Sequence, residues 1–264
     1  MNDEFANEVK ENIRRLGEAK DLPKKSLEWM LAADIAGRYM YNFSWLGRPI
    51  IQYPQDMVAM QELIWETKPD LIIETGIAHG GSIILSASML ALLDMADAIA
   101  SGDTIDPRVS KRKVLGIDID IRSHNRAAIE AHPMASRIQM VQGSSVAPEV
   151  VKQVKRIASG YQRVLVCFDS NHTHEHVLAE LEAYAPLVSI GSYCIVFDTL
   201  VEDSPDDIFP DRPWGKGDNP KTAVWEYLHR LQKDGSSLAF EIDRNVEHKL
   251  LITVAPDGYL RRVS

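Results

Sequence analysis

The sequence predicts an α/β fold, a doubly wound and mostly parallel sheet with helices on both faces. Three observations predict it. From Leu71 onward, short β-rich apolar runs alternate with segments of helical period, the pattern of βαβ units. The first such run is followed at once by a glycine cluster, "ETGIAHGGS". Two polar interruptions, "SGDTIDPRVSKR" and "TLVEDSPDDIFPDRPWGKGDNPK", fall between the runs and leave each of them whole.

Taken in order, helical patterns span about 7–19, 26–41 and 56–67, forming an extension ahead of the sheet. Between the last two lies "NFSWLGRPIIQYPQD", rich in aromatics and prolines, which reads as an ordered loop. The strand "LIIET" leads to a long helix after Gly81, "KVLGIDID" to a helix from about Arg122, and "RIQMVQG" to a helix from about Ala147. "RVLVCFD" leads to a helix over 173–185, and "SYCIVFD" runs into the Pro-rich loop 199–221. A helix over about 221–232 and two closing strands, "SLAFEI" and "KLLITV", complete the pattern.

The chain has 264 residues, enough for one large domain with additions. Acidic residues outnumber basic ones, 38 to 29, for a formal charge of −9, which argues against nucleic acid as a partner and for small molecules or other proteins. The N-terminal stretch lacks the basic start and apolar run of a signal peptide, and the apolar segment 82–100 is broken by Asp94 and Asp97. No membrane association is expected, and the expected location is cytoplasmic. Cys167 and Cys194 sit in apolar runs and read as buried free thiols.

The glycine turn lies where a doubly wound sheet binds ligands, at the carboxyl end of its first strand. A phosphate loop would need Lys and Ser/Thr straight after the last glycine, but Ser82 and Ile83 stand there. A dinucleotide turn would need a glycine where Ala78 stands and an acid about twenty positions on. A site for S-adenosylmethionine asks for less. Its glycine turn, with Gly76, His79, Gly80, Gly81 and Ser82, passes the amino-acid part of the cofactor, and a strand-end carboxylate, Glu74 or Asp118, accepts from the ribose hydroxyls.

Asp169 and Asp198 end two apolar strands expected to be neighbours. Two carboxylates in one cleft repel unless a cation or a proton intervenes, and oxygen ligation favours Mg²⁺. Asn171 and Glu202 are candidates for a third ligand. The cluster "DSNHTHEH" suggests zinc, yet His172, His174 and His176 cannot all face one point as a helix begins at Thr173. One of them as a general base suits a hydroxyl acceptor better.

The runs "PDLIIETGIAHGGSIILSASML", "GIDID", "SNHTHEHVLAELEAYAPLV" and "FPDRPWGKGDNPKTAVWEYL" resemble the cephalosporin hydroxylase/rhamnosyl O-methyltransferase family, over nearly the whole chain from Trp45. The resemblance implies a Rossmann-like, seven-stranded methyltransferase fold, S-adenosylmethionine as cofactor and Mg²⁺. It implies division of the chain into an N-terminal helical extension with a lid-type loop, 1–55, and a catalytic domain, 56–264. It implies His172 as the base beside Asp169, and Ser144 and Ser145 near the adenine. The family commonly carries an acidic pair where this chain has Phe197 before Asp198, which leaves the third ligand open.

The expected activity is O-methylation of a hydroxyl on a sugar or glycosylated small molecule. Arg48, Gln52 and Tyr53 in the first loop, and Asp211, Arg212 and Trp214 in the late loop, are placed to close over the site. Two alternatives accompany this expectation: a metal-dependent oxygenase using Asp169, His172 and His174, and a non-catalytic scaffold subunit. The apolar surplus of "MLAADIAGRYMYNFSWL" suggests a homo-oligomer.

Overall fold

A computed structural model describes residues 3–264. Two helices, α1 (Asp3–Glu18) and α2 (Leu22–Gly37), precede a hairpin of β1 (Phe43–Trp45) and β2 (Arg48–Ile50), and α3 (Pro54–Thr67) leads into the sheet. There follow β3 (Leu71–Thr75), α4 (Gly81–Ser101), β4 (Lys113–Asp118), α5 (Ser123–Glu130), β5 (Ile138–Gln142), α6 (Pro148–Ala158), β6 (Val164–Phe168) and α7 (His174–Tyr184). The chain ends with β7 (Tyr193–Val196), α8 (Pro220–Lys233), β8 (Phe240–Ile242), α9 (Arg244–Leu250) and β9 (Tyr259–Arg262).

Seven strands form one sheet in the order β5-β4-β3-β6-β7-β9-β8. The pairs from β5 to β7 are parallel, and β9 runs antiparallel to both of its neighbours. The strand order reverses between β3 and β6, so the crevice that this topology opens lies at their carboxyl ends. Alternation along the strands supplies two cores. Ile72, Val114, Leu165, Cys167 and Ile195 face α3, α4 and the hairpin. Ile73, Leu115, Val166, Phe168 and Cys194 face α6, α7 and α8. Both cysteines are buried and free.

The helix α4 is apolar and long enough to cross a membrane, with a mean hydropathy of 1.8 over its most apolar window, but half of that window is buried in the fold. Its first turns are packed between sheet and hairpin, and Trp45 Nε1 donates to Ser88 Oγ at 3.0 Å.

The structure departs from the expected elements in three places. The aromatic loop contains the β1–β2 hairpin, whose three-residue strands are too short to show an alternating pattern. The second helix runs over 22–37, because Pro23 suits a first helical turn and Arg38 ends it with φ +46. "KLLITV" is not a strand: its first residues finish α9, which starts under an Asp243 cap, and Leu251 leaves the helix with φ +59. The rest of that run is a buried loop whose polar groups are met by Asp56. That carboxylate accepts from Val254 N at 3.0 Å, from Thr253 Oγ1 and from Tyr259 OH. The closing strand is β9, after the turn at Gly258.

Candidate active site

Strand register brings the site together. Thr75 pairs with Phe168, and Phe168 pairs with Val196, so the turns after β3, β6 and β7 emerge side by side. Asp169 N donates to Thr75 O at 2.9 Å and Phe197 N to Phe168 O at 3.0 Å, carrying the ladder one residue past the strands. Asp169 and Asp198 thus stand at one rim. His172 joins them, and ligand atoms of the three lie within 4.8 Å of one another. His172 Nε2 is 3.2 Å from Asp198 Oδ2, and its ring meets the edge of Trp214 at 5.2 Å between centroids. Burial, then the charge of Asp198 and of Glu74, pushes the Asp169 carboxyl well above the usual carboxylate range.

These residues border a cleft of about 840 Å³. One wall is the glycine turn, with Gly76, His79, Gly81 and Ser82. The hairpin and the residues that follow it contribute Ile50, Gln52 and Tyr53, and the late loop contributes Phe209, Asp211, Arg212 and Trp214. A further wall comes from α2, through Met30, Leu31 and Asp34. The apolar surplus of "MLAADIAGRYM" therefore lines the cleft in part, a use that composition alone does not reveal because a cleft wall and an assembly surface are equally apolar. Ile35, also at the cleft, keeps 77% exposure.

The glycines serve packing as well as ligand access. Gly76 has φ +91, and a Cβ there would stand 1.9 Å from the carbonyl oxygen of Asp169. At Gly81 a Cβ would meet the Pro49 carbonyl at 2.3 Å, so the hairpin sits directly on the start of α4. Arg48 clamps the turn from the same hairpin. Its Nε and Nη2 donate to the His79 carbonyl at 3.0 and 2.6 Å, and Asn125 Nδ2 donates to the Ala78 carbonyl at 2.8 Å. Arg48 Nη2 also donates to Asn125 Oδ1 at 2.9 Å. Nothing in the local sequence marks Asn125, which lies on α5 and meets the turn only through the fold.

The other sequence-predicted residues occupy distinct places. Asp118 stands behind the turn and accepts from Ile77 N at 2.8 Å, Ala78 N at 3.2 Å and Asp120 N at 2.9 Å. Glu74 is buried beneath it and accepts from Ser86 and Ser82, and burial raises its carboxyl to about 7. Gly80 holds φ +87 as the cap of α4 and packs on Ile129. Asn171 Oδ1 accepts from Thr173 N and Oγ1, both at 2.9 Å, which opens α7. Glu202 accepts from Gly217 N at 2.8 Å and from Asn219 Nδ2, bracing the late loop. Ser144 lies in the turn after β5, where its carbonyl accepts from Ala147 N.

The three histidines diverge. His174 faces α8, with Nδ1 2.8 Å from Thr222 Oγ1 and Nε2 2.9 Å from Glu226 Oε2. His176 lies 3.0 Å from Ser145 Oγ and 3.4 Å from the buried Glu180. Only His172 among them reaches Asp169 and Asp198. Phe197 is buried and lines a chamber of about 20 Å³ below Asp169, room for a single water.

The two carboxylates suit a hard divalent cation at the mouth of a large cleft, with the His172 imidazole beside them. The cleft beside the glycine turn has room for a nucleoside cofactor and an acceptor together.

Comparisons with known proteins give the family and the fold. The chain is 30% identical over 211 residues to rhamnosyl O-methyltransferase of Mycobacterium tuberculosis (strain ATCC 25618 / H37Rv), covering 78% of this chain and 73% of that one. With the enzyme of the same name from Mycobacterium leprae it shares 27% over 228 residues, 86% of each chain. In fold it is similar to CmcI solved with Mg and SAM, with a TM-score of 0.53 at 16% identity over 85% of this chain and 78% of that one. A CmcI structure with SAH gives a TM-score of 0.53 at 19% identity over 85% and 84%. The sequence profile of the rhamnosyl O-methyltransferase/CmcI family matches residues 37–263, which takes in the hairpin, the glycine turn and all three members of the Asp169 cluster, and the chain belongs to that family.

Proposed function

We propose that the chain is an S-adenosylmethionine-dependent, Mg²⁺-assisted O-methyltransferase acting on a hydroxyl of a sugar or glycosylated small molecule. The observation that carries this reading is the convergence of Asp169, Asp198 and His172 on the cleft beside the glycine turn. The relatives named rhamnosyl O-methyltransferase support a deoxysugar hydroxyl as acceptor. Gly76, His79, Gly81 and Ser82 would border the amino-acid end of the cofactor, and Asp169 and Asp198 would hold the cation.

When bound, the cofactor supplies an activated methyl group and the Mg²⁺ a positive charge that favours the ionised acceptor. The chain's own residues do the rest. With Nε2–H directed at Asp198, His172 keeps Nδ1 as an acceptor for the hydroxyl proton and the carboxylate stabilises the imidazolium formed. Transfer would exchange the S–CH₃ bond for an O–CH₃ bond, and no covalent enzyme intermediate is needed. Trp214 and Phe209, 4.8 Å apart, give a face on which a sugar ring can stack, and the late loop excludes water.

The oxygenase alternative needs two histidines and a carboxylate at one point, and His174 is engaged with α8 instead. A homo-oligomer is supported by exposed Leu92, Met95 and Ile99 on one face of α4. Two free thiols favour a reducing compartment.

The test is incubation with S-adenosylmethionine, Mg²⁺ and an L-rhamnosyl glycoside. A product heavier by one CH₂ is expected. A gain of one oxygen, or no transfer to any glycoside tried, would overturn the reading.

A further inference from the structure

Gln52 follows the hairpin and is 6% exposed. Its Nε2 donates to Asp169 Oδ2 at 3.2 Å. Ionised, as it would be beside the proposed cation, Asp169 can only accept, so the amide turns its NH₂ toward Asp169 and keeps its carbonyl for something else. That carbonyl oxygen is buried and has no hydrogen-bond partner among the described residues. A buried acceptor left empty costs about as much as a lost hydrogen bond, so its retention asks for a donor that arrives from outside.

The surroundings select the donor. Gln52 lines both the large cleft and the small chamber beneath it, together with Ile50, Ser82 and Asp169. The chamber adds Glu74 and Asp56 and contains no Lys, Arg or His. A wall with carboxylates and no cation repels an anion and attracts a positively charged donor. On the proposed cofactor only the α-ammonium of the amino-acid portion fits that description at this end of the cleft, next to Gly76 and Ser82.

We propose that the Gln52 carbonyl accepts a hydrogen bond from the α-ammonium of S-adenosylmethionine while its amide nitrogen holds Asp169. Gln52 thereby joins the cofactor half of the site to the cation half. This rests on the methyltransferase reading above.

The test is calorimetric titration of wild type, Gln52→Met and Gln52→Glu with two probes, S-adenosylhomocysteine and its deamino analogue, which keeps the carboxylate. Wild type should prefer S-adenosylhomocysteine, and Gln52→Met should lose at least about tenfold of that preference, the scale of one hydrogen bond to a charged group. Binding of the deamino analogue should change little. Gln52→Glu keeps the acceptor atom and should keep the preference, which also serves should Gln52→Met fail to fold. A merely structural role would weaken both probes alike, and equal losses, or a preference absent from Gln52→Glu, would overturn the proposal. If wild type binds neither probe, the cofactor reading itself fails, a result distinct from either.

Discussion

His172 Nε2 lies 3.2 Å from Asp198 Oδ2, and Asp198 reaches it from a left-handed backbone with φ +57. A non-glycine residue in that region is uncommon and is held there by its surroundings. Here the turn after β7 folds back into a short 3₁₀ helix over Thr199–Asp203, which sets the carboxylate against the imidazole. Replacing His172 by Gln should lower the rate constant of methyl transfer about 10²–10⁴-fold, the usual worth of a positioned base. Affinity for S-adenosylhomocysteine should hold. Single-turnover transfer and calorimetry read the two quantities separately, and unchanged turnover would remove His172 from the chemistry.

Divalent cation binding should depend on both carboxylates. Titration of the stripped protein with Mn²⁺ should give one site, weakened about tenfold or more in Asp198→Asn, because affinity for hard cations follows the charge of the ligand set. Asn171→Ala should leave that affinity near wild type, since Asn171 Oδ1 is engaged by Thr173. A large loss in Asn171→Ala would show that its side chain turns to the cation on binding.

The parallel part of the sheet was legible in the sequence because the strands from Leu71 to Val196, apart from the alternating Ile138–Gln142, are largely apolar runs that end in polar turns. Once those runs are parallel neighbours, Asp169 and Asp198 must share a rim. What escaped were features fixed by long-range contact. Arg48 and Asn125 meet at the turn from 77 residues apart, and the buried loop around Val254 owes its shape to Asp56, 198 residues away. His174 and His176 look alike in sequence but part on α7, toward α8 and toward Ser145. Local pattern carries no record of such partners.

Stability of the ligand-free protein should fall as pH rises through the neutral range. Burial lifts Glu74 from an ordinary 4.5 to about 7 and Asp56 from 3.8 to about 6. For each, the folded state binds its proton more tightly than the unfolded chain, so between the two values the folded state carries more protons and ∂ΔG/∂pH is negative. The stabilisation is complete below about pH 4 and is lost as pH passes 6 to 7. For Glu74 it is on the order of 3 kcal/mol. Thermal unfolding at pH 5 and pH 8 checks this: the melting temperature should be higher at pH 5. Glu74→Gln, which keeps an acceptor for the serine hydroxyls, should flatten the difference. A higher melting temperature at pH 8 would contradict it.

Asp118 and Gly76 hold the turn from opposite sides, and their variants should fail in different ways. Asp118→Ala removes the acceptor for the Ile77 and Ala78 amides, which should cost about 1–3 kcal/mol and loosen the cofactor wall. Asp118→Asn keeps an acceptor oxygen and should recover most of that stability. If Asp118 also receives the ribose hydroxyls, Asp118→Asn should still bind S-adenosylhomocysteine more weakly than wild type, by an amount its stability does not explain. Gly76→Ala drives a methyl group onto the Asp169 carbonyl at a backbone angle that suits glycine. It should push the turn and β6 apart, reducing S-adenosylhomocysteine and Mn²⁺ binding together, as a shared wall requires. Loss of only one of the two would show that the glycine turn and the Asp169 cluster move independently.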